Sequence, residues 1–181
     1  MRLLFALHPQ GVCRQTLALR TVLALCLLWA TAAPVAADTM SGVVIVVIDG
    51  DTVLFKPDHY GDASRAFLKI RLADIDAPEK DQPYGEAATR ALTAWVLSQR
   101  VEVTTMATDA HGRTIARIRM GEMLVNAELV RRGLAWASGY RRNAALLETQ
   151  REARRAQRGL WESDAPTPPW VWRRAQVGSG S

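Results

Sequence analysis

Apolar residues in the first half of the chain come in short, mostly β-branched runs separated by acidic turns. The run VVIVVI at 43–48 breaks at Asp49-Gly50-Asp51-Thr52 and resumes as Val53-Leu54-Phe55. Two such runs around Asp-Gly predict a hairpin, with Gly50 supplying the positive φ of a tight turn. After the polar loop KPDHYGDASRA at 56–66, in which His59 and Tyr60 read as solvated residues, the chain returns at Phe67. There Leu68, Ile70 and Leu72 alternate with Lys69 and Arg71, so the core holds one face and Arg71 points away from it. Pro78 stops this strand and fixes the turn that carries Glu79.

The second half changes period. Over 84–99 the residues Ala87, Ala88, Ala91, Leu92, Trp95 and Val96 recur at helical spacing, which makes Trp95 a core residue rather than a base-stacking platform. Residues 101–105 alternate as a strand and lead to a turn at Asp109-Ala110-His111-Gly112. A further strand from Arg113 to Met120 puts Ala116, Ile118 and Met120 on one face and Arg113, Arg117 and Arg119 on the other. A second helix within 121–132 ends at Gly133. A third runs from its cap Asn143 to about Gln157, with Ala144, Leu147, Ala153 and Ala156 inward and its arginines interleaved with Glu148 and Glu152. PTPPWVWRR at 166–174 is expected to drape over the domain or fray. Five short strands and three helices are compatible with a small closed Greek-key barrel, although periodicity does not establish closure.

Length and charge adjust this picture at the N-terminus. Of 181 residues, the first 37 read as a secretory leader: Arg14 and Arg20 precede an apolar run over 21–33, and Val35-Ala36-Ala37 precedes the cut. The expected division is a leader at 1–37, a barrel domain at 38–162 and a Pro-rich, partly flexible tail at 163–181. Secretion or a periplasmic location follows; the other reading is a membrane anchor retained at the N-terminus. Both cysteines, Cys13 and Cys26, fall in the leader, so the domain has no disulfide and no thiolate chemistry. The leader also holds Arg2, Arg14 and Arg20 and no acid, which brings the formal charge of +5 down to about +2 for the remainder. That balance names no partner by itself.

Two carboxylate groups sit at strand ends, Asp49/Asp51 and Asp74/Asp76/Glu79. Antiparallel neighbours bring such clusters together, and converging carboxylates repel unless a cation lies between them; oxygen donors suit Ca²⁺ or Mg²⁺. Taken singly, Asp-Gly and Asp-x-Asp are ordinary turn chemistry. An outward Arg71 between the clusters and Glu79 just after them point to more than turns.

The segments IDGDTV at 48–53, IRLADIDAPE at 70–79 and DAHGR at 109–113 together resemble the thermonuclease family, the staphylococcal-type nucleases. The resemblance spans about residues 42–161. It implies an α+β fold, a five-stranded OB-type Greek-key barrel with three packed helices. It also implies Ca²⁺ on Asp51, Asp76 and the backbone carbonyl of Ala77, where the family often has Thr, with Asp49 orienting water around the ion. Arg71, Glu79 and Arg113 take the family's catalytic positions. Tyr140 falls near a nucleotide-contacting tyrosine of the family, and a plain packing role is its other reading. The implied activity is hydrolysis of DNA and RNA with little sequence preference, leaving 3′-phosphates, by a monomer without an obligate protein partner. With no Ser or Cys nucleophile beside a His, a covalent intermediate is not expected. The alternative is a barrel that binds nucleic acid without cutting; loss of the Glu, an Arg or a metal Asp would mark it, and this sequence keeps them all.

Overall fold

Alternation decides the core. In a computed structural model that describes residues 38–138 and 143–178, the inward positions of five strands meet around one axis. The strands are β1 (Thr39–Val47), β2 (Thr52–Pro57), β3 (Leu68–Leu72), β5 (Arg100–Thr108) and β6 (Thr114–Met120); β4 (Ile75–Asp76) is a short strand between β3 and the first helix. Val44, Val53, Phe55, Ile70, Val103, Ala116 and Ile118 are fully buried inside. Full burial of a Phe or Ile side chain stabilises by roughly 1.5–3 kcal/mol, so this set commits the chain to one register.

β1 pairs antiparallel with β2 and with β5, β2 with β3, and β5 with β6. The ring closes where β3 lies parallel to β6, with Ile70 opposite Thr114 and Leu72 opposite Ala116. The cyclic order β1-β2-β3-β6-β5 is that of an OB-type barrel, and closure removes the sheet edges. Three short strands lie outside the ring: β7 (Met123–Leu124) pairs antiparallel with β6, and β8 (Trp136–Ala137) pairs with β4.

The three expected helices are present as α1 (Gly85–Val96), α2 (Val125–Arg131) and α3 (Ala144–Arg155). α1 seals the barrel with Ala88, Leu92 and Val96, and Trp95 packs partly buried against the core. The side chain of Asn143 caps α3 by accepting from the amides of Ala145 and Leu146. α2 carries the buried Asn126, whose amide donates to the Ala73 and Ala116 carbonyls while its oxygen accepts from Ile118 N–H. One side chain thus ties β6 to the turn after β3, across the closure. Among the described residues no helix is long and apolar enough to cross a membrane.

Four local expectations are corrected. The hairpin between β1 and β2 forms, but Gly50 is not at positive φ. It is needed for room, because a Cβ there would lie 2.8 Å from the Cβ atoms of Ala77 and Ala88. The strand from Phe67 ends at Leu72 rather than at Pro78, since Asp74 turns into the left-handed region at φ 64° before β4 starts. α3 buries Leu146 and Ala153 rather than Ala144 and Ala156, because the longer Leu sets the phase of a helix otherwise rich in Ala and Arg. The segment expected to drape or fray forms a fourth helix, α4 (Pro169–Gly178), with Pro at its first position, where the missing N–H costs nothing. The leader with its two cysteines, and Tyr140, lie outside the described residues.

Candidate active site

Register assembles the site. Thr52 pairs with Arg71 across β2 and β3, so Asp51, one residue earlier, sits at the strand end beside the Arg71 guanidinium. Arg71 Nη1 is 2.5 Å from Asp51 Oδ1, and Nη2 is 2.6 Å from Asp76 Oδ1. Asp76 arrives from β4, held by its pairing with Trp136 of β8. The parallel β3–β6 closure sets Thr114 opposite Ile70, so Arg113, immediately before β6, stands on the strand beside β3 close to Arg71. Asp49, Asp51, Arg71, Ala77, Pro78, Glu79, His111, Arg113 and Arg173 together line a cleft of about 440 Å³.

Asp51 is buried and fully engaged. Its Oδ1 accepts from Thr52 Oγ1 and Arg71, and its Oδ2 accepts from Ala77 N–H at 2.8 Å. Burial foremost raises its pKa, Arg71 and the Ala77 amide oppose the rise, and Asp49 and Asp76 add to it, for a net value of about 7. Arg71 shows the converse: burial works against its charge, and the two carboxylates outweigh this, so its pKa is raised. Asp49 accepts the Asp51 N–H on its Oδ1, a turn-stabilising contact at the cleft edge.

Glu79 is held by its backbone. Its N–H donates to Gln82 Oε1, and its carbonyl accepts from Gln82 N–H. Gly85 opens α1 against this loop, and a Cβ there would collide with the Glu79 carbonyl oxygen. Arg113 is fixed by Asp109, which accepts from Arg113 Nε at 2.7 Å and from the amides of His111 and Arg113 at 2.9 Å. These bonds, the Arg113 amide foremost, hold the Asp109 pKa down at about 2.

The expected set therefore converges, with one exception among the acids. Asp74 turns away to pair with Arg117 at 2.7 Å. Sequence reasoning missed Arg173, Gln82, Asp109 and His111 as parts of the site. Arg173 is the most consequential: from α4 it meets both Asp76 and Glu79. Its signal was Pro169 opening a Trp-rich helical run, and Pro-rich composition obscured it. Tyr140 lies outside the described residues.

Among the described residues no three His, Cys, Asp or Glu side chains are gathered to hold a metal by themselves. Asp51, Asp76 and Glu79 are each paired with a guanidinium instead. The donors nevertheless fit a hard dication. They are oxygen groups only, two of them buried carboxylates that a single Arg71 joins.

A family model described as staphylococcal nuclease homologue matches residues 69–163. An Escherichia coli O157:H7 protein named as an uncharacterized endonuclease is 39% identical over 142 residues, which cover 77% of this chain and 89% of the relative. A micrococcal nuclease of Shigella flexneri is 36% identical over 146 residues, 74% of this chain and 80% of its own. In Haemophilus influenzae another protein named as an uncharacterized endonuclease is 34% identical over 134 residues, 74% of this chain and 72% of its own.

Proposed function

The chain belongs to the staphylococcal nuclease homologues, and from that premise we propose that it is a Ca²⁺-dependent endonuclease that cuts DNA and RNA with little sequence preference. It is a nuclease, and nucleic acid is its substrate. The observation that carries the finer reading is the convergence on one cleft of Asp51, Arg71, Glu79 and Arg113, with Asp76 bonded to Arg71. The mature protein is read as exported and monomeric.

Phosphodiester hydrolysis needs a deprotonated water and a way to hold the charge that grows on phosphorus-bound oxygens. Asp51, Asp76 and the Ala77 carbonyl would hold Ca²⁺, which supplies Lewis acidity and a template for the phosphate. Glu79 accepts the proton of the attacking water. Its carboxylate is half exposed at the cleft, where water can reach it. Arg71 and Arg113 donate to the phosphate oxygens, and the planar fork of each matches two of them. Attack with departure of the 5′ oxygen gives a 3′-phosphate and a 5′-hydroxyl, the leaving oxygen taking its proton from solvent. A binder that does not cut would need none of these groups together, and their joint presence favours the enzyme.

Glu79→Gln tests this directly. Loss of a general base costs about 10²–10⁴ in rate, or roughly 3–5 kcal/mol of barrier. The variant should fold as the parent does and retain DNA binding while single-turnover cleavage falls by that factor. Cleavage at the parent rate would remove Glu79 from the role of base.

A further inference from the structure

The mechanism does not use Arg173, although it makes more contacts with the acidic residues than Arg113 does. Its Nη2 is 2.9 Å from Asp76 Oδ2, its Nη1 3.3 Å from Asp76 Oδ1, and the same Nη1 is 2.7 Å from Glu79 Oε1. Asp76 Oδ1 already accepts from Arg71. Both oxygens of Asp76 therefore face guanidinium groups, and a cation approaching either must compete with an arginine's positive charge. Glu79, paired to a cation of its own chain, is equally ill placed to take a proton from water.

The two arginines differ in how they are held. Arg71 rises from β3 inside the closed ring and is 21% exposed; Arg173 stands on α4 and is 45% exposed. Of the ten residues of α4 only Pro169 is buried. The helix is moored at its edges: Gln82 Nε2 donates to the Thr167 carbonyl just before it, Gln176 donates to Asp81, and Trp170 meets the edge of Trp136 at 6.5 Å between ring centres. Gln82 is also the residue that holds the Glu79 amide, so the mooring and the base share one loop. A strand residue stays while an exposed helix with few buried contacts opens at low cost.

We propose that α4 is an intramolecular competitor for the acidic cleft: Arg173 occupies Asp76 and Glu79 in the cation-free protein and is released when a divalent cation binds. This rests on the reading of Asp76 as a cation ligand. In the strapped form Arg173 neutralises the acids that would otherwise repel one another. The cation replaces one positive charge with two, and in leaving, Arg173 frees the carboxylate of Glu79. Because only the open form binds the ion, the apparent affinity is the intrinsic one reduced by the open fraction.

The test is Ca²⁺ titration calorimetry on the full chain, comparing the parent with Arg173→Gln, Arg174→Gln and Asp76→Ala. Arg174 serves as control because its Nε donates only to the Trp170 carbonyl of its own helix. Two ion pairs of the half-exposed Arg173, one of them to the buried Asp76, compete with the ion, so Arg173→Gln should bind Ca²⁺ about three- to tenfold more tightly. Arg174→Gln should match the parent. Hydrogen exchange at 169–178 should quicken when Ca²⁺ is added to the parent and be fast throughout in Arg173→Gln. If Asp76→Ala abolishes binding while Arg173→Gln binds Ca²⁺ equally or less tightly, the strap is wrong and the cation site stands. If Asp76→Ala binds as the parent does, the cation reading itself fails.

Discussion

The two sides of the cleft carry the same chemistry on different supports. On the barrel side, Asp51 and Arg71 stand on paired strands, and the Asp51 and Asp76 side chains are only 5% exposed. On the rim, Glu79 sits on a loop, Arg113 at the end of a hairpin turn and Arg173 on a terminal helix, the first of these 39% exposed. A charge that must wait for substrate in fixed geometry is built into the sheet, where backbone bonds and burial deny it alternatives. A group that must exchange protons or give way is left on a segment that water reaches. Removing a barrel-side group should therefore damage the fold, whereas removing a rim group should damage only the chemistry.

Arg71→Ala puts the greatest load on that distinction. It leaves Asp51 and Asp76 facing each other, buried, without the guanidinium that joins them. Breaking a buried pair by deleting one partner costs about 3–5 kcal/mol, so urea unfolding without Ca²⁺ should show a loss of about that size. Added Ca²⁺ should restore part of it, because the ion binds the folded state. A loss below about 1 kcal/mol would mean that both sides of the cleft are equally free to rearrange. Glu79→Gln, by contrast, should leave the unfolding midpoint nearly unchanged.

Asp109→Ala sharpens the comparison within the rim. Asp109 holds Arg113 through its Nε and its amide, and takes the His111 amide as well, yet it does not line the cleft. Displacing a phosphate-binding guanidinium by a fraction of an ångström to an ångström is expected to lower kcat about tenfold with little change in KM. Asp109→Asn keeps the oxygen that accepts both amides but turns a donor NH₂ toward Arg113 Nε, so it should recover only part of the rate. Equal rates for Asp109→Ala and the parent would show that Arg113 keeps its place unaided.

What the sequence made legible follows the same division. β-Branched runs around Asp-Gly located β1 and β2, period-2 alternation located β3, β5 and β6, and helical spacing located α1 to α3, because each buries a face that leaves a pattern. The pairing of Arg71 with Asp51 was less visible, since it depends on register and on the parallel β3–β6 closure, which no local pattern encodes. Arg173 was hidden for another reason. A helix of whose apolar residues only Pro169 is buried leaves no continuous buried face to read, and its role comes from a contact 97 residues away in sequence with Asp76. Gln82 and Asp109 act largely through bonds to backbone groups, which any polar residue in a loop could equally meet.

The smallest expected effect concerns Asp74, which stands two residues from Asp76 and shares its Asp-x-Asp spacing. On a flat strand the two would point to the same face, and sequence alone groups them. The turn at φ 64° separates them: Asp76 goes to Arg71 in the cleft, and Asp74 goes to Arg117 on the outside. A pair whose Arg117 is open to solvent contributes about 1 kcal/mol, and Asn adopts the left-handed conformation as readily as Asp does. Asp74→Asn should thus keep cleavage within about twofold of the parent and leave Ca²⁺ affinity unchanged in a calorimetric titration. A tenfold loss in either would place Asp74 among the working acids and erase the boundary between the cleft and the surface beside it.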